Sequence, residues 1–297
     1  MNTTLCDLQI LSSEEWEVME SVHAAKIQPW VDAFRERRKR GLKHPVHDFL
    51  FEYYQCKRKL LTDWHPAPGM VLKGESAMRF LKDDSFSRNE EGVFLDPGKI
   101  DDTLESRISW ITQLIDSARI RRTSFHCYGL HEWAMVYKSN CIRHQDTPLR
   151  LSTEEIERVI EAQTLRCTHY DAFRFFTDSA KPRNTLQPKP DDRGQNEQFG
   201  CVHFNMDLFK WCYKLSPWIS SELTLECFFL AVEARELDMR ASPYDLNAFG
   251  YEPIPIETAD GRIAYQSGQK EIANKGRSLA ARFLEECRMV LNMRILA

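Results

Sequence analysis

The sequence predicts a mainly α protein: a single globular helical domain with long irregular loops, running from residue 1 to residue 297. Three observations predict it. Apolar residues recur at spacings of three and four along most of the chain, the period of a helix with one buried face. Two Ser-x-x-Glu capping boxes stand where such stretches begin. Runs with strand alternation are few and short, and there is no internal repeat.

The first helix is expected over Ser12 to Arg40, opened by the capping box of Ser12 with Glu15 and closed near Gly41. Its stripe is Trp16, Met19, His23, Ile27, Trp30 and Phe34, and Pro29 should kink or split it. A second helix, from His44, carries Pro45 in its first turn, where a missing N–H costs nothing, and continues through Val46, Phe49, Leu50 and Tyr53. A loop at Trp64 to Gly69 and a weakly patterned stretch lead to Pro97-Gly98. Helices follow at about 101–118, 130–139 and 152–164, the last with Ser152 and Glu155 as its capping box. Asn184 to Gln198, rich in Pro, Asp, Gly and Gln, reads as an exposed loop. Two core helices come next, near 202–214 and 221–240. A Pro-rich connector from Tyr251 to Ile256 then leads to a final helix from about Gln269 to Leu296.

A chain of 297 residues that is 42% hydrophobic can bury one large core or two modest ones. With a net charge of -4 and a pI near 6.2, no global field advertises nucleic acid or an anionic membrane. A polyanion would need a local patch, such as Arg35, Arg37, Arg38, Lys39, Arg40 and Lys43, or Arg119, Arg121 and Arg122. No apolar run approaches the roughly 18 residues of a membrane span. The first seven residues lack a signal peptide's basic and apolar regions, so a soluble cytoplasmic chain is expected. The nine cysteines (Cys6, Cys56, Cys127, Cys141, Cys167, Cys201, Cys212, Cys227 and Cys287) include no Cys-x-x-Cys pair. Buried thiols in a reducing compartment are therefore expected, without a disulfide framework or zinc ribbon.

Histidines, carboxylates, cysteines and rings crowd into three passages, His126 to Trp133, Arg166 to Arg174 and Gly200 to Trp211. Such groups are expensive to bury, so their grouping points to chemistry on a flat or ring-shaped ligand. In the first passage Glu132, beside His131, suits a general base or metal ligand, and Trp133 a stacking surface. The plainer reading is that Glu132 complements a helix dipole, worth a few tenths of a kcal/mol to ~1. In the second, Arg166, Tyr170, Asp171 and Arg174 share a helical face with His169 adjacent. Asp171 there is either an ordinary ion pair or a carboxylate placed to stabilise positive charge on a sugar. In the third, Phe204, Leu208, Trp211 and Leu215 form the buried stripe, while Asp207, Lys210 and Lys214 share another face, with His203 and Asn205 nearby. An ion pair on a helix, worth about 0.3–0.5 kcal/mol, is the plainer reading again.

The 221–240 helix is apolar nearly all round, from Leu223 to Val232, and so is expected to be central and enclosed. Glu226 and Glu233 interrupt it on one face, about 10 Å apart by helix rise. Arg235 or Arg240 would partner them in a structural account, and metal ions in a sharper one. On the helix from His44, His44 and Asp48 share a face with His47 beside them, either a solvated face or a metal or catalytic one. No Gly-rich phosphate loop, Gly-x-Ser-x-Gly elbow, His-Glu-x-x-His or EF-hand motif occurs.

At these passages the chain resembles a bacterial family commonly labelled 3-methyladenine DNA glycosylase. The likeness rests on His-Pro-Val-x-Asp-Phe-Leu at 44–50, Gly-Leu-His-Glu-Trp-Ala-Met-Val-Tyr at 129–137 and Arg-Cys-Thr-His at 166–169. Asp-Ala-Phe-Arg-Phe-Phe at 171–176, Asn-Met-Asp-Leu-x-Lys-Trp at 205–211 and Asp-Met-Arg-Ala-Ser-Pro-Tyr-Asp at 238–245 extend it over most of the chain. The helix-hairpin-helix and helical-repeat signatures of other alkyl-purine glycosylases are absent. The resemblance implies hydrolysis of the N-glycosidic bond of alkylated purines in DNA, without a cofactor. Trp133, Tyr170 or Trp211 would then stack on the cationic base, and Asp171 or Glu132 would stabilise the oxocarbenium-like sugar and orient water, with His131, His169 and Asp207 completing the catalytic group. Arg166, Arg174, Asn205 and Lys210 would hold the flipped nucleotide.

The residues alone also support a metal-dependent helical-bundle enzyme, an oxygenase among the options, acting on a small ring-shaped substrate. Iron, manganese or zinc would be drawn from the pool His44, Asp48, Glu132, His169, Asp207, Glu226 and Glu233. The Glu-x-x-His pairs of ferritin-like proteins are missing from it.

Overall fold

The Ser12 capping box forms as its spacing predicts. The Ser12 hydroxyl accepts the Glu15 N–H at 3.3 Å and Glu15 accepts the Ser12 N–H at 2.8 Å. In the computed structural model, which describes residues 8–139 and 146–296, this box follows strand β1 (Gln9–Leu11) and opens helix α1 (Ser13–Lys39). The helix runs through Pro29 without splitting, buries Trp16, His23, Ile27, Val31 and Phe34, and ends before Gly41 at a φ of 67°. The helix expected from His44 is short: α2 (His47–Glu52), followed by α3 (Arg58–Thr62).

The weakly patterned stretch supplies β2 (Met70–Leu72), β3 (Phe86–Arg88) and β4 (Val93–Leu95). The sheet order is β1-β2-β4-β3; β1 lies parallel to β2 with Ile10 opposite Val71, and the other pairings are antiparallel. At Gly92, with φ 151°, a Cβ would stand 2.3 Å from the Leu72 carbonyl oxygen, so the turn into β4 requires glycine. The Trp16 indole donates to the Lys73 carbonyl at 2.9 Å and ties α1 to this sheet.

Helix α4 (Asp102–Ile120) is capped by Asp101, and α5 (Leu130–Ala134) is half the length expected because the chain leaves helical geometry before Lys138, where φ is 49°. The Ser152–Glu155 box opens α6 (Thr153–Ala162), and α7 (Tyr170–Phe173) is a single turn. The stretch from Asn184 to Gln198, expected to be exposed, is so only in its middle. It carries α8 (Arg193–Asn196), while Asn184, Glu197 and Gln198 are buried at its ends. Asn184 explains one end: its side chain bonds both the N–H and the carbonyl of Cys167.

Helices α9 (Val202–Lys214) and α10 (Ser221–Arg240) match their expected bounds. The last helix, α11 (Ala259–Leu296), starts about ten residues early. Its first turns contain Gly261 and Gly268, poor helix formers that obscure the pattern. Gly268 is there for packing, since a Cβ would meet Leu237 at 2.7 Å.

Among the described residues the buried apolar side chains form two clusters. The larger gathers α1, the sheet, α4, α9, α11 and most of α10; the smaller gathers α5, α6, α7 and residues from Met239 to Tyr265. Helix α10 belongs to both, with Phe228 in one and Met239 in the other. The result is the mainly helical domain expected. Two expectations for α10 fail. Glu226 and Glu233 lie half in solvent, paired with Arg282 and Lys275 of α11 rather than with Arg235 or Arg240. Their face is the one α10 turns towards the rim of α11, so they are not buried ligands. Of the cysteines, Cys6 and Cys141 lie outside the described residues; the other seven are free thiols, all buried except Cys127, which is half-buried. Among the described residues no helix is long and apolar enough to cross a membrane.

Candidate metal centre

Where elements of the two apolar clusters face each other, a seam of ionisable groups runs through the interior. Helix α9 supplies His203, Asp207 and Lys210 at successive turns of one face. Helix α10 supplies Arg235 and Asp238, α5 supplies His131 and Glu132, and the chain entering α7 supplies His169 and Asp171. Gly129, in the left-handed region at φ 73°, lets α5 approach closely, since a Cβ there would stand 3.1 Å from that of Ala241.

The first group is His131, His203 and Asp238. Their candidate ligand atoms all lie within 4.8 Å of one another, and all three residues are buried. His131 Nε2 is 2.8 Å from Asp238 Oδ1, and its Nδ1 is 3.3 Å from Cys127 Sγ. The Nε2 contact is a buried ion pair with the carboxylate. Asp238 Oδ2 also faces Arg235 at 3.3 Å, and Arg235 donates to Glu132 at 2.6 Å. Burial pushes the His131 pKa down, but the Asp238 carboxylate and Cys127 outweigh it and raise it well above the usual imidazole value. Burial likewise opposes ionisation of Asp238, yet His131, His203 and Arg235 hold its pKa at about 2. His203 is driven down to about 3 by burial and by His131, and its Nδ1 has no partner.

The second group is His169, Glu197 and Asp207, also buried and within the same 4.8 Å. His169 Nε2 is 3.3 Å from Asp207 and 3.7 Å from Glu197. Cations already fill this space. Lys210 bonds Asp207 and lies 3.3 Å from Asp171, and Arg193 bonds Asp171 at 2.7 Å and approaches Glu197 at 3.4 Å. Tyr54 donates to Asp207 at 3.1 Å. Burial alone would raise the Asp207 pKa, but Lys210 and His169 pull it well below the carboxylate range. Glu197 is pushed up by burial more than His169 lowers it.

Several sequence candidates are brought into the seam: His131, Glu132, His169, Asp171, Asp207 and Lys210. Others are not. Trp133 is wholly buried with its indole donating to the Ala241 carbonyl at 2.8 Å, so it offers no face to a stacked base. Asn205 is equally enclosed, and its amide holds the carbonyls of Phe199 and Cys201 at 2.7 Å each, a structural task. Trp211 packs edge-on to Trp110 beneath Lys210 and Lys214. Tyr170 lies under Arg193, Arg174 is exposed beside Asp171, and Arg166 is exposed at the rim near His131. Asp48 is buried rather than solvated, because Arg37 folds in from the basic run of α1 to bond it at 2.9 Å. His44 and Asp48 therefore stand apart from the seam, as do Glu226 and Glu233.

His203, Asp238, Arg235 and Glu197 were missing from the candidates. Asp238 opens the 238–245 motif and His203 lies in the passage from Gly200 to Trp211, and an aspartate three residues from an arginine on an apolar helix is a usable signal. Glu197 was masked by the composition of its loop.

Two small crevices reach the seam. One of about 20 Å³ touches Glu132, Asp171 and His203; another of about 10 Å³ touches Cys127 and His131. Each has room for about one water. A larger cleft, about 910 Å³ between α4 and α11, touches none of these residues. Comparison of the chain with protein-family models, with curated proteins and with solved structures finds no match.

Proposed function

We propose that this chain is a metal-dependent enzyme whose ion is held by His131, His203 and Asp238. One observation carries the reading: three donors from three different helices converge within 4.8 Å in the interior, and one of them, His203, keeps a ring nitrogen without a partner. Two imidazoles and one carboxylate form the set that binds iron(II) in oxygenases and leaves coordination positions open, so iron or manganese is the favoured ion and oxygenase chemistry the favoured class. The adjacent crevice, about 20 Å³, suits a diatomic or water-sized co-ligand. His169, Asp207 and Glu197 have the same donor types, but Lys210 and Arg193 supply their positive charge, so a role in proton transfer beside the ion fits them better.

Base excision is less well supported by this geometry. The crevices that touch Glu132, Asp171 and His131 are far smaller than the ~300 Å³ at which ligand sites begin, and Trp133 and Trp211, two of the rings expected to stack on a flipped purine, are buried.

Metal analysis of the full-length chain tests the proposal. About one iron or manganese per chain is expected, lost in His203→Ala and Asp238→Asn. Cobalt(II) titration of the unmodified chain provides a second readout, with visible d–d absorption saturating near one equivalent. A chain that binds none of these ions, or one that releases alkylated bases from DNA when metal-free, would sink the reading.

A further inference from the structure

A cleft of about 350 Å³ on the outer surface shares two walls with the crevice inside: Phe49 and Tyr53 line both. The two rings stack, 4.8 Å between centroids and 9° between planes, and Phe49 also carries the Arg235 guanidinium 4.0 Å from its centre. Inside this pair lies His203, 6% exposed, with its unpartnered Nδ1. Outside it, the cleft is walled by His44, Phe249, Asp48 and Glu52.

We infer that this outer cleft is the substrate-binding site, that Phe49 and Tyr53 gate the way from it to His203, and that the substrate is a small organic cation: an ammonium group on an apolar or aromatic body. The inference rests on the metal-centre reading for the word substrate, but the cleft's ligand chemistry follows from its own residues. Asp48, Glu52 and Asp146 face one lysine, Lys43, which is committed to Asp146 at 3.7 Å. Asp48 is satisfied by Arg37 and the His44 N–H, whereas Glu52 is exposed and pairs with no described residue. Burial, together with His47 and Arg37, holds the His44 pKa down to about 4, so at neutral pH it presents an uncharged ring. Its neighbour Phe249 stands edge-on at 5.0 Å. Phe49 already carries Tyr53 and Arg235, so the rings left to meet a cation are Tyr53 and Phe249, and the surplus of carboxylate among the described lining residues attracts cations and repels carboxylic acids. The volume is in the range of small-molecule sites.

Calorimetric titration of the full-length chain, as purified, with benzyltrimethylammonium chloride tests this. Benzoate serves as the anionic control, and metal content is measured on the same sample. Saturable binding of the cation is expected, with benzoate weaker by about tenfold or more. In Glu52→Gln, an exposed position whose change leaves the fold intact, cation affinity should fall by about threefold or more. Absence of saturable cation binding, equal binding of benzoate, or unchanged affinity in Glu52→Gln would each overturn the assignment. Cation binding by a chain that takes up no metal would keep the cleft and remove the metal centre. Metal uptake without cation binding would do the reverse.

Discussion

His169 and His203 lie face to face, 5.5 Å between ring centroids and 26° between planes. Through this contact the two buried groups meet, although they are electrostatically unlike. On the His203 side, Asp238 shares one arginine with Glu132. On the His169 side, Asp207 answers to a lysine and lies near a second arginine. The difference separates the group proposed to hold an ion from one whose cations are part of the chain.

Asp207→Asn tests that second side. The change leaves Lys210 and Arg193 enclosed with less negative charge, and breaking a buried pair in this way costs about 3–5 kcal/mol. Urea denaturation at neutral pH should show a loss of that size, and a loss under 1 kcal/mol would mean that Asp171 suffices for both cations.

Glu226→Gln and Glu233→Gln provide the contrast. Their partners Arg282 and Lys275 are about half exposed, and surface pairs of this kind contribute little. Each variant should unfold within about 0.5 kcal/mol of the unmodified chain.

Stability should fall in mild acid, and His65 is one source. Burial holds its pKa at about 4, against 6.5 when free. Between those values the unfolded chain binds a proton that the folded chain refuses, so this contribution is full above pH 6.5 and is lost as pH falls towards 4. The loss is on the order of 3 kcal/mol. Denaturation at pH 7 and pH 4.5 should show a shallower pH dependence in His65→Gln; an unchanged slope would refute the assignment.

Gly276→Ala should weaken the contact between α9 and α11. A Cβ there would fall 1.9 Å from Asn205 Oδ1, so Asn205 must move or the helices must part. Overpacking of this kind costs about 1–3 kcal/mol. Asn205→Ala is destabilising by itself, through the freed carbonyls of Phe199 and Cys201, but it removes the obstacle. The double variant should therefore lose less than the two single losses together.

The long helices were legible because their signals are local. Ser12 with Glu15 and Ser152 with Glu155 act within four residues, and the bounds of α9 and α10 follow from apolar content alone. What failed depends on distant partners. Whether Glu226 faces the core or Arg282 is decided by how α11 lies, which no window of α10 contains. Glu197 enters the seam because α8 turns it inward beside Arg193, against the polar composition around it. Within the candidate site, residue types were visible and pairings were not. His131 and Asp238 are 2.8 Å apart in space and more than a hundred residues apart in sequence.

Helix α10 runs through both apolar clusters, packing Phe228 into one and Met239 into the other. Neither cluster can come apart without taking the other's central support. Heating should thus yield one cooperative melting transition, with calorimetric and van't Hoff enthalpies in agreement, and brief proteolysis should leave no surviving half.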